Sequence, residues 1–366
     1  MHASQPPAQA AARPGRILRR VIGTLASLAL LAGPVAAPAS ADPGSPSAPS
    51  VPLDRSAVLS RVVPGLVDIS TVLGYQGAVG AGAGIVIDPN GEVLTNNHVI
   101  EGATEITAVS LANSQSYAID VIGFDRGSDI ALIRLRGAAG LPTAMLGTSS
   151  ALAVGNPIAA VGNSDGGNGN PSYAPGVITQ LGASVRASDD SGASRELFDL
   201  IRVAADIRPG DSGGPLVNSA GQVIGLNVAA TLTYRMSGVT GGEGFAIPID
   251  RAMAIANQIR AGAASPSIHI GDTAFIGVGV ADRPPFAPGP PGAVVRQVLP
   301  DTPAVATGLV SGDVITAVDG IPVNAAADLS AIMDQRRPGD VITLTWIDRG
   351  GIPRSAPLVL AKGPAG

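Results

Sequence analysis

The chain contains no cysteine, so core packing rather than disulfides must hold it together outside a reducing compartment. Aromatic residues make up only 3% of its 366 residues, with a single tryptophan, and histidine occurs three times. The 45% hydrophobic content is therefore carried by aliphatic side chains, which still permit a sizeable core. Positive charge is not in excess. The net charge is −5, and four arginines (Arg13, Arg16, Arg19, Arg20) sit at the very start, so the remainder is more acidic still. Such a surface repels phosphate backbones, and nucleic acid is excluded as a partner. No apolar run beyond the first forty residues is long enough to cross a bilayer. The polar stretch Gly162 to Asn170 lacks the spaced acidic ligands and closing glutamate of a calcium loop and reads as a surface loop, so no metal and no cofactor is expected.

Glycine and proline are abundant instead, at 48 and 31 residues, which implies many short elements joined by turns. The leader arginines precede an apolar run from Val21 to Leu31, and Ala39-Ser40-Ala41 offers small residues for cleavage. Residues 1–41 thus read as a signal peptide, and the protein as exported: secreted, or held in the cell envelope or periplasmic space of a bacterium. A retained anchor over residues 17–37 is the alternative, against which Gly33-Pro34 interrupts the apolar run. Residues 42–54 are a Pro/Ser-rich spacer. From residue 55 to about 264, short Val/Ile/Leu runs alternate with Gly/Asn/Asp turns, the pattern of an antiparallel barrel pair, and Arg251 to Ala261 is the clearest helix. The stretch from Ser184 to Arg195, with Asp189-Asp190, reads as a solvated loop.

Gly210-Asp211-Ser212-Gly213-Gly214-Pro215 sets a serine among glycines, where the backbone turns tightly and the N–H groups of Gly210 and Ser212 can converge on an oxyanion. A serine between glycines is by itself often only a turn. Upstream, the run Gly84 to Asp88 and the turn Pro89-Asn90-Gly91 predict a hairpin, and His98 follows its second strand. Asp129 opens the apolar strand Ile130 to Leu135, where its carboxylate can hold an imidazole. With His2 in the leader and His269 in a linker, His98 is the candidate base. A lone histidine is usually a core or turn residue and a lone aspartate a turn cap. In the order His98, Asp129, Ser212, each in its expected context, they read as base, orienting acid and nucleophile.

With these segments the chain resembles the HtrA (DegP-like) family of trypsin-fold serine proteases carrying a C-terminal PDZ domain. The matching stretches are Thr95-Asn96-Asn97-His98-Val99-Ile100, Asp129-Ile130-Ala131, Gly210 to Gly214 and Gly244-Phe245-Ala246-Ile247-Pro248, within about residues 55 to 362. The resemblance implies an all-β double-barrel (chymotrypsin-like) domain over 55–264, a linker over 265–274 and a small α+β PDZ domain over 275–362. Phe275-Ile276-Gly277-Val278 resembles the PDZ loop whose N–H groups capture a peptide's C-terminus. Support comes from Val298 to Ala304, from Gly312-Asp313-Val314-Ile315 with the turn Asp319-Gly320, and from the apolar helix face Leu329, Ile332, Met333. Three features depart from the family pattern. Asp211 stands where asparagine is commoner, and Asp206 lies two positions later than the family's usual acid. Residues 42–74 hold no aromatic of the kind that pins the family's trimers, so a homotrimer has weak support.

Asn227-Val228-Ala229 is the expected edge along which substrate backbone pairs, and with Ile207 it suits a pocket for a small aliphatic residue. Asp206, six residues before Ser212, has the spacing of an acid selecting arginine or lysine; the apolar pocket is the favoured reading. The expected function is a secreted endopeptidase acting on unfolded polypeptides, regulated by C-terminal peptides at the PDZ domain. A chaperone-like binding scaffold and a dedicated processing protease are the competing readings.

Overall fold

The computed structural model describes residues 53–164, 170–189, 194–228, 234–236, 242–283 and 289–366. The chain enters through helix α1 (Arg55–Val62), N-capped by Asp54, whose Oδ1 accepts the N–H of Ala57 at 3.1 Å. Only Val58 and Val62 of this helix are buried, an i, i+4 pair too short to stand out as a period.

Six strands follow: β1 (Leu66–Leu73), β2 (Ala78–Asp88), β3 (Glu92–Thr95), β4 (Glu105–Ser110), β5 (Ser116–Asp125) and β6 (Ile130–Leu135). They run in the order β5-β4-β1-β2-β3-β6, and β6 pairs back with β5 to close a barrel. Between β3 and β4 lies the short helix α2 (Asn97–Ile100). The expected hairpin is β2–β3, with Ile85 opposite Leu94 and Val86 opposite Val93.

A second barrel is made from β7 (Pro157–Gly162), β8 (Ser172–Asp189), β9 (Ser194–Ala204), β10 (Pro215–Val217) and β11 (Val223–Val228), with β12 (Tyr234–Met236) on its flank and β13 (Gly244–Pro248) between β11 and β9. Pairing of β8 with β9 closes it. The loop expected over residues 184–195 is therefore a correction: 184–189 and 194–195 are the arms of this hairpin, a two-stranded ribbon in which Arg186 stands opposite Glu196 and Ser188 opposite Ser194, so polar residues occur within paired strands.

Helix α3 (Ile249–Arg260) starts two residues before the expected one and buries Ile249, Ala252, Ile255, Ala256 and Ile259. At its end Arg260 Nε donates to Glu92 Oε2 at 2.8 Å, and Arg134 donates to Oε1 of the same carboxylate at 2.8 Å, which ties the helix to the first barrel. The segment expected as a bare linker contains β14 (Ile268–Ile270), which pairs with β5 and extends the first barrel's sheet.

The C-terminal part holds β15 (Ala274–Phe275), β16 (Val278–Asp282), β17 (Ala293–Val298), helix α4 (Pro303–Thr307), β18 (Val314–Val318), β19 (Ile321–Pro322), helix α5 (Ala326–Met333), β20 (Val341–Ile347), β21 (Pro353–Val359) and β22 (Ala361–Lys362). The strand order β16-β17-β18-β20-β21 leaves β16 at an edge, with α5 beside it. Its core is separate, built on Val295, Ile315, Leu344 and Trp346.

One ionisable group sits badly in this scaffold. Asp68, half-buried in the middle of β1, lies opposite Ala83 and Val109, and burial raises its carboxyl pKa to about 6 from the ordinary 3.8. The folded chain holds this proton to higher pH than the unfolded chain does, so the group costs stability as pH climbs from about 4 through 6 and costs nothing below that. Asp68→Asn is expected to stabilise the fold at pH 7.5 by about 1 kcal/mol, a figure reduced for partial exposure, with no gain at pH 3.5. Urea melts at both pH values check this.

Candidate active site

Asp129 lies in the tight turn between β5 and β6, fully buried, with its backbone in the left-handed region at φ 57°. Its Oδ1 accepts the main-chain N–H of His98 at 2.9 Å, and its Oδ2 lies 2.7 Å from His98 Nδ1. With Asp129 as the carboxylate, Nδ1 carries the proton and Nε2 is left to accept. Nε2 is 2.9 Å from Ser212 Oγ. Asn96 adds a further tie, its Nδ2 donating to the main-chain oxygen of Asp129 at 2.9 Å. The structure thus brings together all three side chains singled out in the sequence, from helix α2 and the β5–β6 turn of one barrel and the turn before β10 of the other.

The serine turn is clamped to the first barrel. The N–H of Ala83 donates to Ser212 O at 2.8 Å, and Thr95 Oγ1 donates to Ala83 O at 2.7 Å. Gly213, at φ 81°, faces this contact so closely that a Cβ would stand 2.1 Å from Ala83 O, so no other residue fits there. A cleft of about 340 Å³ opens on His98, lined also by Thr71, Leu73, Val79, Asn163 and Gly210, while Ser212 and Asp129 are themselves fully buried.

A trypsin-like peptidase domain model matches residues 82–226, and a PDZ domain model matches residues 274–358. Serine protease PepD of Mycobacterium tuberculosis is 35% identical over 343 residues, covering 90% of this chain and 70% of its own length. The chain belongs to the HtrA family of trypsin-like serine proteases. A "Probable periplasmic serine endoprotease DegP-like" of Pseudomonas savastanoi is 37% identical over 275 residues, covering 74% of this chain but 53% of its own length. Among solved structures, the HtrA-type protease AlgW with a tripeptide aligns at 27% identity with a TM-score of 0.48, covering 84% of this chain and 98% of that one. By its membership this HtrA chain is a serine-type endopeptidase with a double-barrel domain and one PDZ domain.

Other expected site residues fall differently. Asn227 is a correction: its side chain is fully buried and Nδ2 donates to Val161 O at 3.1 Å and Pro215 O at 3.0 Å, so it fastens strands instead of facing a substrate. The Val228 side chain is in the core and its main chain pairs with Phe245 on β13, while the pairing of β11 with β10 ends at Leu226 opposite Pro215, before Val228 is reached. Ile207 packs against the second barrel's core and touches Gly244. Ala229 lies outside the described residues. Asp206 lies where the favoured reading puts it, away from a pocket floor: it is exposed and ion-paired with Arg208, whose Nε donates to Oδ2 at 2.8 Å. In the PDZ part, Phe275, Ile276, Gly277 and Val278 line a groove of about 190 Å³ together with Leu329 and Met333 of α5.

A residue noted in the sequence only for its departure from the family pattern has a definite place. Asp211 is buried, and its carboxylate accepts from three segments at once. Oδ1 takes the Ser164 N–H at 3.1 Å and the Ser172 hydroxyl, and Oδ2 takes the Arg208 N–H at 2.9 Å. Every one of these groups donates, so the site suits an acceptor-only carboxylate, and an amide would turn its NH₂ against an N–H. Asp211→Asn is expected to leave one part-buried N–H without its acceptor, at about 1 kcal/mol, and to loosen the turn that carries Gly210 and Ser212. Steady-state kinetics with a thermal melt should show kcat falling by about 10-fold or more along with Tm, although asparagine is the commoner family residue here.

Proposed function

We propose that this protein is an exported endopeptidase that hydrolyses unfolded polypeptides through an acyl-enzyme. Ser212 Oγ attacks the peptide carbonyl, His98 takes the proton and returns it to the leaving amine, and Asp129 fixes the imidazole tautomer. The N–H groups of Gly210 and Ser212 hold the oxyanion. The observation that carries this reading is the unbroken line from Asp129 through His98 to Ser212, with contacts of 2.7 and 2.9 Å and His98 in the wall of a cleft. Export is inferred from the arginine-led apolar start and is in keeping with the periplasmic name of a DegP-like relative. The organisation we infer is a leader over 1–41, a spacer over 42–54, the protease domain over 55–264, a connecting segment over 265–274 and a peptide-binding PDZ domain over 275–362. C-terminal peptides ending in an apolar residue are the proposed PDZ ligands, since Ile276, Val278 and Leu329 line a groove beside the edge strand β16.

The test is hydrolysis of unfolded casein by the chain from Asp42 onward. Ser212→Ala is expected to lower kcat by about 10⁴- to 10⁶-fold with little change in Tm, because it removes a single oxygen and opens no large cavity. Asp129→Asn should cost about 10⁴-fold by allowing the wrong tautomer of His98. Residual casein cleavage above a few per cent in Ser212→Ala would overturn the assignment of the nucleophile. Indifference of the intact enzyme to casein would point to one dedicated substrate.

A further inference from the structure

The groove beside α5 is not built from the PDZ domain alone. Arg126, in the turn between β5 and β6 and three residues before Asp129, lines the same groove as Phe275, Ile276, Gly277 and Val278. Its guanidinium lies 4.8 Å from the centroid of the Phe124 ring, on which the His269 ring also stacks at 4.8 Å. From that platform Arg126 Nη1 donates to Asp334 Oδ2, and Nη2 donates to Gly366 O at 2.7 Å. Asp334 is the C-terminal cap of α5, and His269 Nδ1 lies 3.0 Å from its main-chain oxygen. The end of the groove where the loop 275–278 meets the end of α5 thus holds a guanidinium supplied by the protease barrel, on which sit a carboxylate supplied by the PDZ helix and the oxygen of Gly366.

Resting on the reading of this groove as a C-terminal peptide site, we propose that Arg126 supplies the charge that recognises the ligand's terminal carboxylate. An extended peptide adding to the edge strand β16 would run toward the loop at 275–278. There the main-chain N–H groups offer neutral donors and Arg126 the cationic one. Gly277, at φ 92° and packed on Thr302 so tightly that a Cβ would lie 2.1 Å from it, keeps this turn in the conformation that exposes backbone. Asp334 is the built-in charged competitor, with Gly366 O beside it: a carboxylate ligand must take over the guanidinium from them, and an amide-ended peptide has no charge with which to do so. Discrimination between free acid and amide is therefore set by an ion pair that crosses from barrel to PDZ domain.

The test uses the full chain carrying Ser212→Ala, so that probes are not cut. Fluorescein-labelled decapeptides varied over their last three positions are made both as free acids and as C-terminal amides, and binding is followed by anisotropy. Arg126→Gln is expected to weaken the free acids by about 10-fold or more and the amides by less than about 2-fold. Asp334→Asn, which removes the competitor, is expected to tighten the free acids several-fold and gives an independent reading should Arg126→Gln fail to fold. If Arg126→Gln weakens acids and amides equally or not at all, or if Asp334→Asn leaves the acids unchanged or weaker, the assignment of Arg126 is overturned while the groove remains a peptide site. If no peptide of either kind binds the parent chain more tightly than about 1 mM, the peptide-site reading itself falls and the assignment of Arg126 with it.

Discussion

The carboxylate of Asp129 is committed entirely to one neighbour, with one oxygen on the main-chain N–H of His98 and the other on its ring. Two points of attachment fix both the position of the α2 turn and the rotation of the imidazole, and the second ring nitrogen then has a single direction in which to accept. Other features of the first barrel serve that grip. The left-handed backbone at Asp129 aims the carboxylate inward from a turn that would otherwise cap itself, and the amide of Asn96 holds the same turn from behind. The strain of a non-glycine residue in this region persists only because the surrounding contacts determine it.

The triad was legible in the sequence because each member sits in a short segment whose shape is set locally: a hairpin exit, a strand start, a glycine turn. The barrels were legible from the alternation of apolar runs and turns. What escaped was decided by partners distant along the chain. Asn227 looks like a pocket residue until Val161 and Pro215 are seen to claim its amide. Nothing around Arg126 or His269 marks them as a joint, because the partner of both, Asp334, lies far along the chain. The helix at Arg55 was hidden because only two of its side chains reach the core.

The absence of cysteine shifts the work of joining parts onto polar contacts of exact direction. Glu92 holds two arginines, one on β6 and one on α3, and so fastens the helix that covers the barrels. The strand β14 adds a second fastening by extending the sheet of the first barrel toward the PDZ domain. The residues that connect the two domains are thus part of a sheet on one side and face α5 on the other. A shift of α5 would press on Arg126 and His269 before it reached anything else, and Arg126 begins the turn that ends in Asp129, with its main-chain oxygen accepting the N–H of Asp129 at 3.3 Å.

The bond from Ala83 N–H to Ser212 O has a consequence for how such a chain is made. Its two ends belong to different barrels, completed at residues 135 and 248 of a chain that emerges in order. His98 and Asp129 are made well before Ser212, and the apolar core that the two barrels share with α3 cannot close until residues beyond 248 have arrived. Destructive chemistry is in this way divided between two halves that are harmless apart, and a chain cannot cut its neighbours, or itself, until its own folding is nearly complete.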